Sequence, residues 1–166
     1  MRESNKNVYL IVHGAAIAAI YVALTMIFAP ISFGPVQFRI SEALCILPFF
    51  TPAAVPGLFI GCLLSNLFCG SAMLDVVFGS LATLIGAVGS WHLRRHKWLV
   101  CLPPIIANTL IVPFVLYYGY GVNLPIPFMM LTVGIGEVLS CGVIGLVLQS
   151  ALKNYSHVIF RDTVKA

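Results

Sequence analysis

Charge is scarce in this sequence. Of its 166 residues only 8% are Asp, Glu, Lys or Arg, and just five are acidic. A soluble domain carries about a quarter charged residues, so this chain lacks the polar surface water would require, and the bilayer is its expected solvent. Several chemistries also lack their motifs. The five cysteines (Cys45, Cys62, Cys69, Cys101, Cys141) are odd in number and contain no C-x-x-C pair, so they read as packing thiols rather than a disulfide framework or a metal site. No Gly-rich phosphate loop occurs, so any ATP hydrolysis the protein depends on belongs to another chain. No Ser/His/Asp or Cys/His set is arranged for nucleophilic catalysis, which argues against an enzyme. His92 and His96 have helical spacing but share their segment with Arg94, Arg95 and Lys97 and lack a third ligand, so they read as loop residues rather than a metal site. The net charge of +4 does not point to nucleic acid, because the positive residues gather at the termini and between Trp91 and Trp98 instead of forming a face.

What is abundant is apolar sequence: 60% of the residues are hydrophobic and mean hydropathy is +1.03. Arg2 and Lys6 precede a run from Val8 to Phe28 that is long enough to span a membrane and lacks a cleavable-signal pattern, so it is expected to be a retained first helix. Breakers at Pro30, Gly34 and Pro35 make Ala29 to Ser41 a loop. Further helices are expected over Glu42–Phe50, from Gly57 to about Cys69, Asp75–Ser90, Leu99–Tyr118 with a kink available at Pro113, and Pro125–Leu152 before a polar tail. The second and third are short for full spans and suit a re-entrant pair or broken helices lining a cavity. The expected fold is a single all-α integral membrane domain of six transmembrane helices. With the N-terminus inside, eight of the nine basic residues fall in cytoplasmic segments and only Arg39 lies outside, which puts both termini in the cytoplasm.

Ionisable groups at membrane depth cost ~3 kcal/mol or more and usually mark function. Three acids qualify. Glu137 lies near the midplane of the last helix, in the run Gly134-Ile135-Gly136, where small residues admit a ligand or another helix. Glu42 stands at the outer mouth of the second helix, three residues after Arg39, as a local ion pair or as part of a ligand clamp; Ser41 is a candidate cap for that helix. Asp75 opens the fourth helix, where the helix dipole favours an anion, as a plain cap or as a ligand contact. Asn66 and Asn108 fall inside helices, as interhelical bonds or ligand contacts. On the first helix Ala15, Ala19 and Ala23 recur every four residues, with Gly14 and Ala18 as a second such pair, making a smooth groove for close helix contact within the chain or with a partner. His13, beside the stripe, reads as structural.

The size, the six helices, the Ala15/Ala19/Ala23 stripe and the run Gly34-Pro35-Val36-Gln37-Phe38-Arg39-Ile40-Ser41-Glu42-Ala43-Leu44 together resemble the substrate-specific (S) components of energy-coupling factor (ECF) transporters. Within these the chain is most similar to the QueT family of queuosine-precursor importers. The resemblance implies the six-helix S-component bundle, with ligand bound from outside under the loop after the first helix. It implies docking of the Ala15/Ala19/Ala23 face on a transmembrane coupling subunit, and two cytoplasmic ATPases that drive release by toppling the S component. No cofactor is implied in this chain itself. The residues are compatible with a 7-deazaguanine cargo. A carboxylate can accept two adjacent N–H groups of a guanine-like edge, and Glu137 is the candidate. Asn66, Asn108 and Gln37 can meet the remaining ring groups, Phe33, Phe38, Phe68 and Phe114 can wall the flat ring, and Glu42 or Asp75 can meet an aminomethyl cation. Competing readings are an S component for another vitamin, an ion-coupled secondary transporter using Glu137, a membrane enzyme, and a structural subunit.

Overall fold

The structure, a computed structural model, describes residues 3–32 and 38–159, and every regular element among them is helical. Helix α1 is Glu3–Ile27, followed by a single turn at Ala29–Ser32. Helix α2, Ile40–Phe49, is wound as a 3-10 helix, and α3 is Ala54–Phe68. Helix α4 opens with a π-helical turn, Asp75–Gly79, and continues as an α-helix over Ser80–His92. Helix α5 is Leu102–Gly119. Helix α6 begins as Ile126–Glu137, becomes π-helical over Val138–Ile144 and is α-helical again over Gly145–Ile159. The count of six agrees with the sequence reading, and the boundaries differ at the ends. Helix α1 starts before Val8, and α6 runs on through the stretch expected to be a polar tail. That extension is tied down: the Tyr9 hydroxyl bonds the Ile159 carbonyl at 2.8 Å, and His13 reaches the same oxygen at 3.1 Å.

Three stretches are long and apolar enough to cross a bilayer: Lys6–Ile27, Leu102–Gly119 and Ile126–Ser156. Helix α2 is different. Ten residues of 3-10 helix rise about 20 Å, well short of a hydrocarbon core of about 30 Å. Its residues from Ser41 to Pro48 are all buried, with α1, α3, α4 and α6 packed around it. It is therefore a central rod, buried on every side, which is why its sequence is apolar all round apart from the residues discussed below.

Small residues set the remaining packing. Along α1, Gly14, Ile17, Ala18, Tyr21 and Thr25 form one buried face. A Cβ at Gly57 would come within 2.6 Å of the Gly14 carbonyl, and one at Gly61 within 2.9 Å of the Tyr21 Cβ. This register makes α1 and α3 parallel and nearly in backbone contact. Helices α4 and α5 are antiparallel, with Gly86 against Pro104 and Gly89 against Pro103. The Tyr9 and His13 bonds bring the start of α1 and the end of α6 together. A groove shared by Lys97, Trp98 and residues 146–150 brings the α4–α5 loop to the same end. Lys6, Arg94, Arg95, Lys97 and Lys153 thus collect at one end of the bundle.

Candidate functional site

The opposite end and the middle of the bundle hold a buried polar cluster built from the three acids. Each acid stands where the helix departs from α geometry: Glu42 in the 3-10 helix, Asp75 at the start of the π-turn of α4, and Glu137 immediately before the π-helical stretch of α6. Such windings redirect side chains and free backbone groups, and π-bulges recur at functional sites.

Arg39, the residue before α2, has extended backbone (φ −91°, ψ 100°), so its side chain leaves the helix direction and crosses to α4. There its Nη2 donates to Asp75 Oδ2 at 2.7 Å, with both side chains buried. Of the two readings of the Arg39–Glu42 spacing, the local ion pair is not formed: Arg39 pairs instead with Asp75, 36 residues away. Nor is Asp75 a plain cap, since its Oδ2 is taken by the side chains of Arg39 and Tyr120. The Tyr120 hydroxyl donates to the same Oδ2 at 2.9 Å. Burial first, then the Asp75 charge, raise the Tyr120 phenol above its ordinary pKa. The Asn66 amide donates to the Asp75 carbonyl at 3.0 Å.

Glu42, fully buried, is gripped on both oxygens. Tyr21 donates its hydroxyl to Oε1, the Thr83 hydroxyl lies 3.4 Å from the same atom, and the Cys45 thiol donates to Oε2 at 2.9 Å. Ser41 does not cap α2. It faces α1 and accepts from the Thr25 hydroxyl at 2.8 Å. Asn108 and Glu42 both lie within electrostatic range of Glu137.

The cluster is unbalanced in charge and in hydrogen bonding. It contains three carboxyl groups and one guanidinium. Among the described residues, three of its buried acceptors have no hydrogen-bond partner: Asn66 Oδ1, Asp75 Oδ1 and Glu137 Oε2. A buried acceptor left unmade costs on the order of 1–3 kcal/mol, and native interiors contain few of them. The surplus is one of acceptors, which fits a ligand presenting several donors.

Of the expected site residues, Arg39, Glu42, Asn66, Asp75, Asn108 and Glu137 all fall in this region. Phe38 is half-buried beside Arg39, and Gln37 and Phe33 lie outside the described residues. Phe68 and Phe114 are not walls of the cluster; both point outward, 65% and 44% exposed, and Phe114 lines an apolar surface groove with Leu74 and Phe78. Sequence reading missed Tyr21, Thr83 and Tyr120, and it took Cys45 for a packing thiol. A signal existed for Tyr21, which with Ile17 and Thr25 makes an i, i+4 row bearing two hydroxyls inside a membrane helix.

On α1 the two small-residue rows separate. Gly14 and Ala18 pack inward, while Ala15, Ala19 and Ala23 are exposed. Beside the exposed row runs an apolar groove of about 440 Å³ between α1 and α3, lined by Ile11, Ala15, Ala18, Pro56, Gly57 and Ile60 among others.

A helical bundle with three apolar stretches of membrane length and acids buried among them defines a polytopic membrane protein with an internal polar site. The model of the QueT transporter family matches residues 11–154, and the chain belongs to that family, which is one of transporters rather than enzymes. The queuosine precursor transporter QueT of Lactococcus lactis subsp. cremoris (strain MG1363) is 44% identical over 79 residues. That match covers 46% of this chain, and the chain spans about half the length of this curated relative, 46%. No solved structure matches the chain.

Proposed function

We propose that this chain is the substrate-binding membrane subunit of an ECF-type importer and that its cargo is a queuosine precursor of the 7-deazaguanine class. The observation that carries the reading is the acceptor surplus on Asn66, Asp75 and Glu137, inside a cluster with more carboxylate than cation. A deazaguanine edge presents adjacent N–H donors, and queuine and the aminomethyl precursor add a protonated amine. Family membership and the name of the Lactococcus relative support the same cargo. In this reading Glu137 accepts the paired N–H edge, Asn66 and Asn108 meet ring groups, and Asp75 and Glu42 favour the cationic substituent. Phe38 and Arg39 meet the cargo from the outer side of the site.

The end carrying Lys6, Arg94, Arg95, Lys97 and Lys153 faces the cytoplasm in this reading, with both termini, as the bias of basic residues favours. The exposed Ala15/Ala19/Ala23 row and its groove dock on the coupling subunit, and two partner ATPases supply the energy.

The test is thermal stabilisation of the purified protein in detergent by queuine, its aminomethyl and cyano precursors, guanine, riboflavin and folate, since a ligand of the native state raises the apparent Tm. Stabilisation by deazaguanines alone is expected. A shift with riboflavin or folate instead would keep the class and discard the cargo. Uptake by this chain alone in liposomes, driven by an ion gradient, would replace the importer-subunit reading with a secondary transporter.

A further inference from the structure

At the basic end, a groove of about 360 Å³ runs between the α4–α5 loop and α6, lined by Lys97, Trp98, Leu146, Val147, Gln149 and Ser150. Its composition is split. Lys97 supplies a cation at one edge, with its ammonium 5.1 Å from the Trp98 ring centroid. Gln149 is only 5% exposed, and its Nε2, a donor, has no hydrogen-bond partner among the described residues. Ser150 has its own hydrogen engaged on the Leu146 carbonyl at 2.9 Å, so Lys97 and Gln149, with the Trp98 indole N–H beside them, are the side-chain donors on offer. The other lining is apolar and faces outward: Val147 and Trp98 are each 66% exposed, and Val143 and Ile144 extend the apolar face along α6. Here the orphan is a donor, the reverse of the central cluster, where the orphans are acceptors.

A cation and a buried amide N–H at the level where Trp and Lys mark a membrane interface, above a lipid-facing apolar slope, match one amphiphile. We propose that this groove binds an anionic phospholipid, with its phosphate on Lys97 and Gln149 and an acyl chain along Leu146 and Val147. Basic niches between membrane helices are suited to such headgroups. The inference does not depend on the cargo or on ECF coupling.

The experiment is native mass spectrometry and thermal unfolding of the full chain, titrated with phosphatidylglycerol, phosphatidylcholine or inorganic phosphate. Phosphatidylglycerol is expected to bind and stabilise more than phosphatidylcholine. Lys97→Gln is expected to weaken phosphatidylglycerol by about fivefold, the effect of one basic residue at a membrane surface. Lys97→Arg retains binding, and Gln149→Leu, which fills the same volume without the donor, weakens it. Lys153→Gln, at the same end but outside the groove, is the control and leaves it unchanged. Equal binding of the two lipids would overturn the proposal. So would equal losses in Lys97→Gln and Lys153→Gln, which would mean diffuse attraction, and so would full stabilisation by inorganic phosphate alone, which would mean an ion site without a lipid.

Discussion

Glu42 and Glu137 place the same functional group inside the same bundle, and their neighbourhoods treat it in opposite ways. Glu42 lies on the central rod with both oxygens engaged, by Tyr21 and Cys45, and with Thr83 alongside. Glu137 has Asn108 as a neighbour and one oxygen, Oε2, without a partner among the described residues. Asp75 combines the two conditions on its two oxygens: Oδ2 takes Arg39 and Tyr120, and Oδ1 has no partner among the described residues. A satisfied buried carboxylate rigidifies the fold around it, and a half-satisfied one holds binding capacity in reserve. The polar interior therefore divides into a scaffold of Arg39, Tyr21, Glu42 and one edge of Asp75, and a receptive surface of Glu137, Asn66 Oδ1 and the other edge of Asp75.

Substitutions separate the two halves. Arg39→Met is expected to cost the most, about 3–5 kcal/mol of unfolding free energy, because it leaves the Asp75 charge buried without its cation. Pairing it with Asp75→Leu should recover much of that loss, and denaturant unfolding in detergent would read both. A single variant no worse than the double would show that the ion pair is not scaffold. Smaller losses, about 1–3 kcal/mol each, are expected for Tyr21→Phe, which takes a donor from Glu42, and for Gly61→Ala, whose new methyl meets the Tyr21 Cβ at 2.9 Å. Glu137→Gln should cost less than about 1 kcal/mol, since the amide keeps the shape and removes a poorly paired carboxylate. The same variant should abolish stabilisation by deazaguanines. A large stability loss in Glu137→Gln with ligand response intact would move Glu137 into the scaffold and sink the comparison.

Much of this division was legible in the sequence, and some was not, for a physical reason. Arg39, Glu42, Asp75 and Glu137 stood out because charge inside apolar sequence is costly wherever the chain folds. The basic end was legible because Lys and Arg avoid the bilayer core. The ion pair was not, because Arg39 and Asp75 are brought together by α2 and α4 packing across 36 residues, and nothing local announces it. Winding was also hidden. Hydropathy reports that Ile40–Phe49 is apolar but not that it is a 3-10 rod enclosed by four helices, nor that α4 and α6 are π-helical beside their acids. The error over Phe68 and Phe114 has the same root. In a membrane chain the lipid-facing and inward-facing surfaces are both apolar, so an aromatic residue does not declare which way it points.

The smallest expected effect on stability belongs to α1, where two rows of small residues lie side by side. Ala19 is on the exposed row, where a larger side chain has no neighbouring helix to meet among the described residues, so Ala19→Leu should change unfolding free energy by no more than about 0.5 kcal/mol. Ligand-induced stabilisation should persist as well, since the buried face of α1, with Tyr21 and Thr25, is untouched. Uptake by cells carrying a coupling module should nonetheless fall steeply, because close approach of a partner helix to the Ala15/Ala19/Ala23 row depends on the absence of side-chain bulk. The pairing of unchanged binding with lost uptake is the informative result, because a fold defect would lower both. Uptake at the parental level in Ala19→Leu would count against docking of the proposed coupling subunit on this row.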